Sequence, residues 1–236
     1  MDDQANLLPL YEQVRRAIVA GIDDGQFAEG SFLPPEPDLM DRYGVSRITL
    51  RRAIGDLCAD GRLQRQQGRG TLVMPRKVRQ TLVSLSGFSE TMDGLGRKAG
   101  HRILARVDNP DTPVIRDRLQ AKALIRFDRL LEDDGRPMTL ETLWFDAHRF
   151  PEVVEPVAAG GSFFAALREE AGIEPAHAER QIDVGLATSE ERAILSVSAA
   201  QPVYRIEKIV TDAGGQPLAL SQLVTPSHLV TYTIKT

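Results

Sequence analysis

The sequence predicts an α+β protein: a small helical head with a short hairpin, followed by a larger antiparallel-sheet domain. Three observations carry that prediction. Charge reverses sign within the first eighty residues. Helix-periodic runs in that stretch give way to a glycine-turned hairpin. Beyond it, alternating strands recur, and one strand–turn–strand unit occurs twice.

A chain of 236 residues has room for two modest domains. Its single cysteine, Cys58, excludes an internal disulfide framework and fits a reducing compartment. No apolar run approaches the ~20 residues that span a bilayer. The opening "MDDQANLLPLYEQ" lacks the basic and apolar regions of a signal peptide. A soluble cytoplasmic protein with no membrane partner is expected.

The whole-chain net charge of −4 hides an asymmetry. Residues 1–41 hold two arginines against nine acids. Residues 42–79 hold nine arginines and Lys77 against only Asp56 and Asp60. The local net charge therefore swings from −7 to +8. A reversal this abrupt suits a surface that meets a polyanion.

The head divides at its prolines and glycines. Pro9 suits a first helical turn. Leu10, Val14, Ala17 and Ile18 follow at helical spacing, and Gly25 closes that helix. "EPDLMDRYG" predicts a second, short helix entered through Pro34, Pro35 and Pro37 and broken at Gly44. "GVSRITLRRAIGDL" predicts a third. Ser46 is its N-cap, and Val45, Ala53, Ile54 and Leu57 form its apolar stripe. Arg47, Thr49, Arg51 and Arg52 fall off that stripe, and Asp60-Gly61 ends it. Cys58 falls on the buried side. Leu63 and Arg65, then Thr71 and Val73, alternate around "QQGRG", which reads as a hairpin. Helix, helix-turn-helix and hairpin make a winged helix-turn-helix, whose second helix enters the major groove.

The run "PLYEQVRRAI…LPPEPDLMDRYGVSRITLRRAIGDLCADGRLQRQQGRGTLV" resembles the DNA-binding domain of the GntR family of bacterial transcription regulators. That resemblance implies base or phosphate contacts from Arg47 and Arg51 and a phosphate contact from Thr49. It places Gly68 at the wing tip in the minor groove. Ser46, Arg52 and Arg69 complete the candidate DNA-binding set. The sequence departs from the family at Pro37, where an arginine usually stands, which leaves Arg52 as the residue to compensate. Ile48 also replaces a common small hydroxyl residue.

We expect the DNA-binding domain over 1–74, a linker over 75–84 and a second domain over 85–236. In the second domain, "HRILARVDN", "ALIRFDRLLED", "PMTLETLWF", "AERQIDVGLA", "PVYRIEKIVTD", "PLALSQLVT" and "LVTYTIK" alternate as strands. "SFFAALREEAG" and "SEERAIL" read as helices capped by Ser162 and Ser189. The stretches from Arg126, "RFDRLLEDDGRPMTLE", and from Arg205, "RIEKIVTDAGGQPLALS", repeat one pattern with one extra residue in the second. Such an echo predicts a pseudo-symmetric antiparallel sheet.

This half resembles the effector-binding domain of the HutC-type GntR subfamily, which shares its fold with chorismate lyase. The resemblance implies a small-molecule site at Ser86, Phe88 and Ser89, at Arg129 and Glu141, and at Ser162 and Phe164. Strand alternation places Phe127, Arg129 and Leu131 on one face, with Thr139 and Glu141 likewise. A helix N-terminus at Ser162 suits an anion, and Arg129 suits a carboxylate or phosphate. The alternative for Arg129 and Glu141 is a surface ion pair. Leu131, Phe164 and Ala219 each replace a polar residue common in sugar-phosphate-sensing members. An organic acid, or else a phosphorylated metabolite, is the expected effector.

Histidines 101, 148, 177 and 228 lack metal-ligand spacing, and Cys58 lacks a nucleophile motif. No enzyme, metal or cofactor is expected. The expected protein is a homodimeric repressor of a catabolic or uptake operon. It would bind an inverted-repeat DNA operator and release it on binding a small acidic metabolite. The alternatives are a regulator whose second domain only dimerises, an activator, or a chorismate-lyase-like enzyme.

Overall fold

The structure, a computed structural model, describes residues 8–74, 77–81 and 87–233. The chain divides into two compact units, Met1–Lys77 and Val78–Thr236.

The first unit runs α1 (Leu10–Asp23), α2 (Glu36–Tyr43), α3 (Arg47–Ala59), β1 (Leu63–Gln66) and β2 (Gly70–Val73). Pro9 stands at the N-cap of α1 with ψ 143° rather than inside the first turn. The chain enters extended there, and a residue without an N–H loses no helical bond. Pro35 precedes α2 and Pro37 lies in its first turn. Gly44, with φ 62°, takes the left-handed conformation that ends α2. Ser46 then caps α3, its hydroxyl accepting from the Thr49 N–H at 3.3 Å. Such a cap stabilises by about 1 kcal/mol.

The apolar spacing of each helix meets in one core. Val14, Ile18 and Ile22 of α1 pack with Leu39 of α2 and with Leu50, Ala53, Ile54 and Leu57 of α3. Leu63 and Val73 of the hairpin close it. Cys58 packs partly buried against this core, and burial pushes its thiol up despite the opposing charge of Arg65. The β1–β2 turn contains Gly68 at φ 73°, a conformation that costs little only for glycine.

The second unit runs β3 (Val78–Thr81), α4 (Phe88–Asp93), β4 (Ala99–Asp108), α5 (Pro113–Leu119), β5 (Leu124–Asp133), β6 (Arg136–Asp146), α6 (Pro151–Ala158) and α7 (Phe163–Glu169). It continues with β7 (His177–Leu186), α8 (Ser189–Leu195), β8 (Pro202–Thr211), β9 (Pro217–Pro226) and β10 (Val230–Thr233). Six strands form an antiparallel sheet in the order β4-β5-β6-β9-β8-β7. The two echoed hairpins, β5–β6 and β8–β9, are joined by pairing of β6 with β9. The order therefore reads the same from either edge, three strands on each side.

Alternation in β5 and β6 turns Phe127, Leu143 and Phe145 onto one face, where they meet Phe150, Val153 and Val157 around α6 and Phe163 and Leu167 of α7. We call this the inner face. The Phe145 and Phe163 rings lie 5.1 Å apart. Each fully buried side chain of this kind contributes about 1.5–3 kcal/mol.

Three features differ from the sequence expectation or add to it. The cap of α8 is Thr188, not Ser189. Thr188 Oγ1 accepts from the Glu191 N–H at 3.2 Å, while Glu191 accepts from the Thr188 N–H at 2.7 Å. Only Thr188 has a glutamate at the position that returns the bond. Helices α4, α5 and α6 are additional and are six to eight residues long, too short to show a period. Four residues of the stretch expected as linker, 78–81, form β3, which pairs in parallel with β10 through Val78 and Val230. Ser86 lies outside the described residues.

Candidate functional site

Two sets of residues concern function, one in each unit. In the first unit, α3 buries one face and presents the other. Arg47 and Arg52 are exposed, and Ile48 is 84% exposed. Thr49 is held, its hydroxyl 2.9 Å from Ser46 Oγ. Arg51 Nε lies 2.9 and 3.1 Å from the two carboxylate oxygens of Glu36. Arg65 Nη2 donates to the Arg51 carbonyl at 3.2 Å, which fastens the wing to α3. A cleft of about 690 Å³ opens between α2, α3 and the wing, lined by Glu36, Arg51, Arg65, Gly68 and Arg69 among others.

The remaining candidates of this unit pack on aromatic rings. Arg52 lies 3.7 Å from the centre of the Tyr11 ring, close enough for a cation–π contact. Arg69 lies 5.4 Å over Phe32. Among the described residues Arg47 makes no ion pair or hydrogen bond. The seven candidates thus fall on α3, its cap and the wing, with cationic groups directed outward near the N-terminal half of α3. That arrangement can take phosphate oxygens and base-edge acceptors.

In the second unit the register pairs Arg129 with Glu141. Arg129 donates through Nε (3.0 Å) and Nη2 to one Glu141 oxygen, and through Nη1 to the Gly161 carbonyl at 3.3 Å. The two residues are 4% and 5% exposed. They form a buried ion pair, not the surface pair of the alternative reading. Burial works to raise the Glu141 carboxyl, but Arg129, Lys208 and a bond from Ser221 outweigh it and hold the carboxyl below its ordinary range.

His101 extends the cluster. Its Nδ1 lies 3.1 Å from the Gly161 carbonyl and its Nε2 lies 3.2 Å from Ser89 Oγ. A carbonyl only accepts, so Nδ1 carries the proton and Nε2 accepts from the Ser89 hydroxyl. Burial, then the charge of Arg129, pushes the imidazole down. Phe88 lies 5.9 Å from the His101 ring. The Phe164 ring packs so closely on Gly87 that a Cβ there would meet it at 3.0 Å. Ser162 caps α7, accepting from the Ala165 N–H at 3.4 Å. The structure therefore gathers Phe88, Ser89, Arg129, Glu141, Ser162 and Phe164 around Gly161 and His101.

Sequence reasoning missed His101, Lys208 and Ser221. Lys208 stands in the repeated hairpin at the place of Arg129, and Ser221 at the place of Glu141, so the echo contained the signal. A larger cavity, about 750 Å³, is lined mainly by residues that alternate to the opposite sheet face, such as Asp128, Thr142 and Glu207, and also by Arg129 and Glu141. Its charges are largely paired: Arg205 with Glu191, Glu207 with Arg118 and Asp128 with Arg126. Size alone does not make it the better site. Among the described residues no His, Cys, Asp and Glu group could hold a metal, and no helix is long and apolar enough to cross a membrane.

Comparison with known proteins agrees with this division. Residues 10–73 match the family of bacterial regulatory proteins, gntR family, and residues 94–230 match the UTRA domain. The chain is 32% identical over 229 residues to the uncharacterized HTH-type transcriptional regulator YurK of Bacillus subtilis, covering 96% of this chain and 95% of that one. It is 29% identical to the probable fructoselysine utilization operon transcriptional repressor of Escherichia coli, covering 95% and 93%. The crystal structure of PhnF from Mycobacterium smegmatis superposes with a TM-score of 0.67 at 26% identity, covering 94% and 98%. The chain belongs to the GntR family of bacterial transcription regulators, in the HutC-type subfamily that joins a DNA-binding helix-turn-helix domain to a UTRA domain.

Proposed function

We propose that the protein is a cytoplasmic, homodimeric repressor of a catabolic or uptake operon, released from its operator by a small acidic metabolite. The observation that carries the DNA half is the outward face of α3. Arg47 and Arg51 stand exposed in its N-terminal half, where a recognition helix meets base edges. Ser46 and Thr49 reach phosphate beside them. Gly68 and Arg69 follow from the wing, and Arg52 adds positive charge from its place on Tyr11. Two heads would read two half-sites of an inverted repeat.

The effector half rests on the inner-face cluster. Phe88, Ser89, Arg129, Glu141, Ser162 and Phe164 contribute to one site, and Ser86 joins them in the proposal. The chain passes from the head into β3 and, after residues 82–86, into Gly87–Ser89, so occupancy of the site bears directly on the segment that carries the head. By linkage, effector lowers operator affinity by the same factor by which operator lowers effector affinity. Leu131, Phe164 and Ala219 are buried and apolar, which favours an aromatic or short organic acid over a phosphosugar. The cluster is assigned a binding role and no catalytic step.

Calorimetric titration of the full-length protein tests this reading. Binding of aromatic or aliphatic acids, with operator release in a gel-shift assay, is the expected result. Tight binding of an amino-sugar phosphate, with none of the acids, would refute the effector class.

A further inference from the structure

We infer that Lys208 holds the oxyanion of the effector, which serves it as the counter-ion that Glu141 provides for Arg129. This deepens the effector reading above and rests on it.

The repeated hairpin supplies the first argument. In the two copies, Arg129 and Lys208 are equivalent, and so are Glu141 and Ser221. The registers agree, since Arg129 lies opposite Glu141 and Lys208 lies opposite Ser221. Both pairs belong to one sheet, joined through β6 and β9. In the first copy a carboxylate neutralises the cation across the strand. In the second copy that carboxylate is a serine, and Ser221 is itself 1% exposed and bonded to Glu141.

The surroundings of Lys208 supply the second argument. Its Nζ lies 4.7 Å from the centre of the Phe164 ring. Among the described residues it makes no ion pair or hydrogen bond. The charged groups that face it are Glu141 from β6, Arg180 from β7 and Arg129 from β5. Among the described residues, β9 sets the neutral Ser221 opposite it and α7 sets the Phe164 ring beside it. Arg129 already occupies the Glu141 carboxylate, so Lys208 shares that carboxylate with a closer cation. Burial lowers the Lys208 ammonium to about 8, the sign of a charge held without full compensation. A half-buried ammonium without a counter-ion of its own is costly, and an oxyanion from outside lowers that cost.

The occupant follows from the walls. Lys208 is a point charge with several donors, suited to a carboxylate or to one phosphate oxygen. The adjacent Phe164 face suits an apolar body attached to that group. Arg129, fixed to Glu141 and Gly161, orders the site and leaves primary anion contact to Lys208.

The test is calorimetry on the full-length chain with two probes, inorganic phosphate and benzoate, at about pH 7 and about pH 9.5. The wild type is compared with Lys208→Met, which removes the charge, and Ser221→Glu, which supplies an internal carboxylate. Far-UV circular dichroism checks that each variant is folded. The expected result is that at least one anion binds the wild type at about pH 7 and that both variants bind it at least about tenfold more weakly. Wild-type affinity should also fall about tenfold or more at about pH 9.5, as the ammonium is lost. Equal binding by wild type and folded variants overturns this inference alone. Binding of neither anion to the wild type overturns it together with the acidic-effector reading.

Discussion

Arg51 Nε lies 2.9 Å from Glu36 Oε2, so α2 grips an arginine that the proposed docking directs at DNA. The pair is exposed enough that its own stabilisation is small, about 0–1 kcal/mol. Its consequence is competitive, because Glu36 holds the guanidinium that a phosphate or guanine would take. Glu36→Gln should therefore bind DNA several-fold more tightly, with the salt dependence of binding steepened by about one phosphate equivalent. Fluorescence anisotropy across a salt series measures both. Weaker binding by the variant would contradict the competition and make Glu36 an orienting group.

Ile48 is 84% exposed at the second residue of α3, between Arg47 and Thr49. In the proposed docking an isoleucine there faces the major groove, where its natural apolar contact is the thymine methyl group. Replacing the facing thymine by uracil in the preferred operator should weaken wild-type binding by about 1 kcal/mol and leave Ile48→Ser nearly unaffected. Insensitivity of the wild type at every thymine would remove this contact.

Phe163 is 1% exposed and meets Phe145 and Phe164 in the inner-face core. Phe163→Ala should destabilise the second unit by about 3–5 kcal/mol, read by urea denaturation. The first unit, with its separate core, should unfold as in the wild type. A loss under about 1 kcal/mol would mean that the ring is not part of a close-packed core.

Lys208 should leave a signature in the pH dependence of stability. Its folded-state value is lowered to about 8, against about 10.4 in an unfolded chain. Between those values the unfolded state binds more protons, so this group makes stability rise with pH. Its penalty is fully present below about pH 8 and relieved above about pH 10.4. Lys208→Met should thus be more stable than the wild type at pH 7, by about 1 kcal/mol after allowance for partial solvation. The difference should close as pH rises through that window. A gap in thermal melting that does not change with pH would contradict a charged Lys208.

The strands other than β3 and the head helices α1 and α3 were legible because each is amphipathic with a clear period, while α2 was marked by its prolines and by Gly44. Val14, Ala17 and Ile18 mark α1, and the alternation of Phe127, Arg129 and Leu131 marks β5. Helices α4, α5 and α6 were not legible, since a helix of two turns shows no period and two of them simply begin at Pro113 and Pro151. Ser189 and Thr188 are both hydroxyl residues that can cap a helix, and only the spacing to Glu191 marks Thr188 as the cap. Arg129 and Glu141 could be placed opposite each other from the hairpin pattern, but not their depth. That depends on α7 covering the sheet, a contact between distant parts of the chain. Lys208 was legible in principle, because the echo aligned it with Arg129. What the sequence did not disclose is that Ser221, at the place of the missing carboxylate, is turned toward Glu141.

The most direct test of the regulator reading is selection of duplex DNA from a random pool by the full-length protein, alongside an Arg47→Ala, Arg51→Ala double variant. The wild type should enrich an inverted repeat, and the folded double variant should enrich no sequence while retaining its second unit intact. Enrichment of the same repeat by the double variant would contradict the assignment of α3 as the helix that reads the operator.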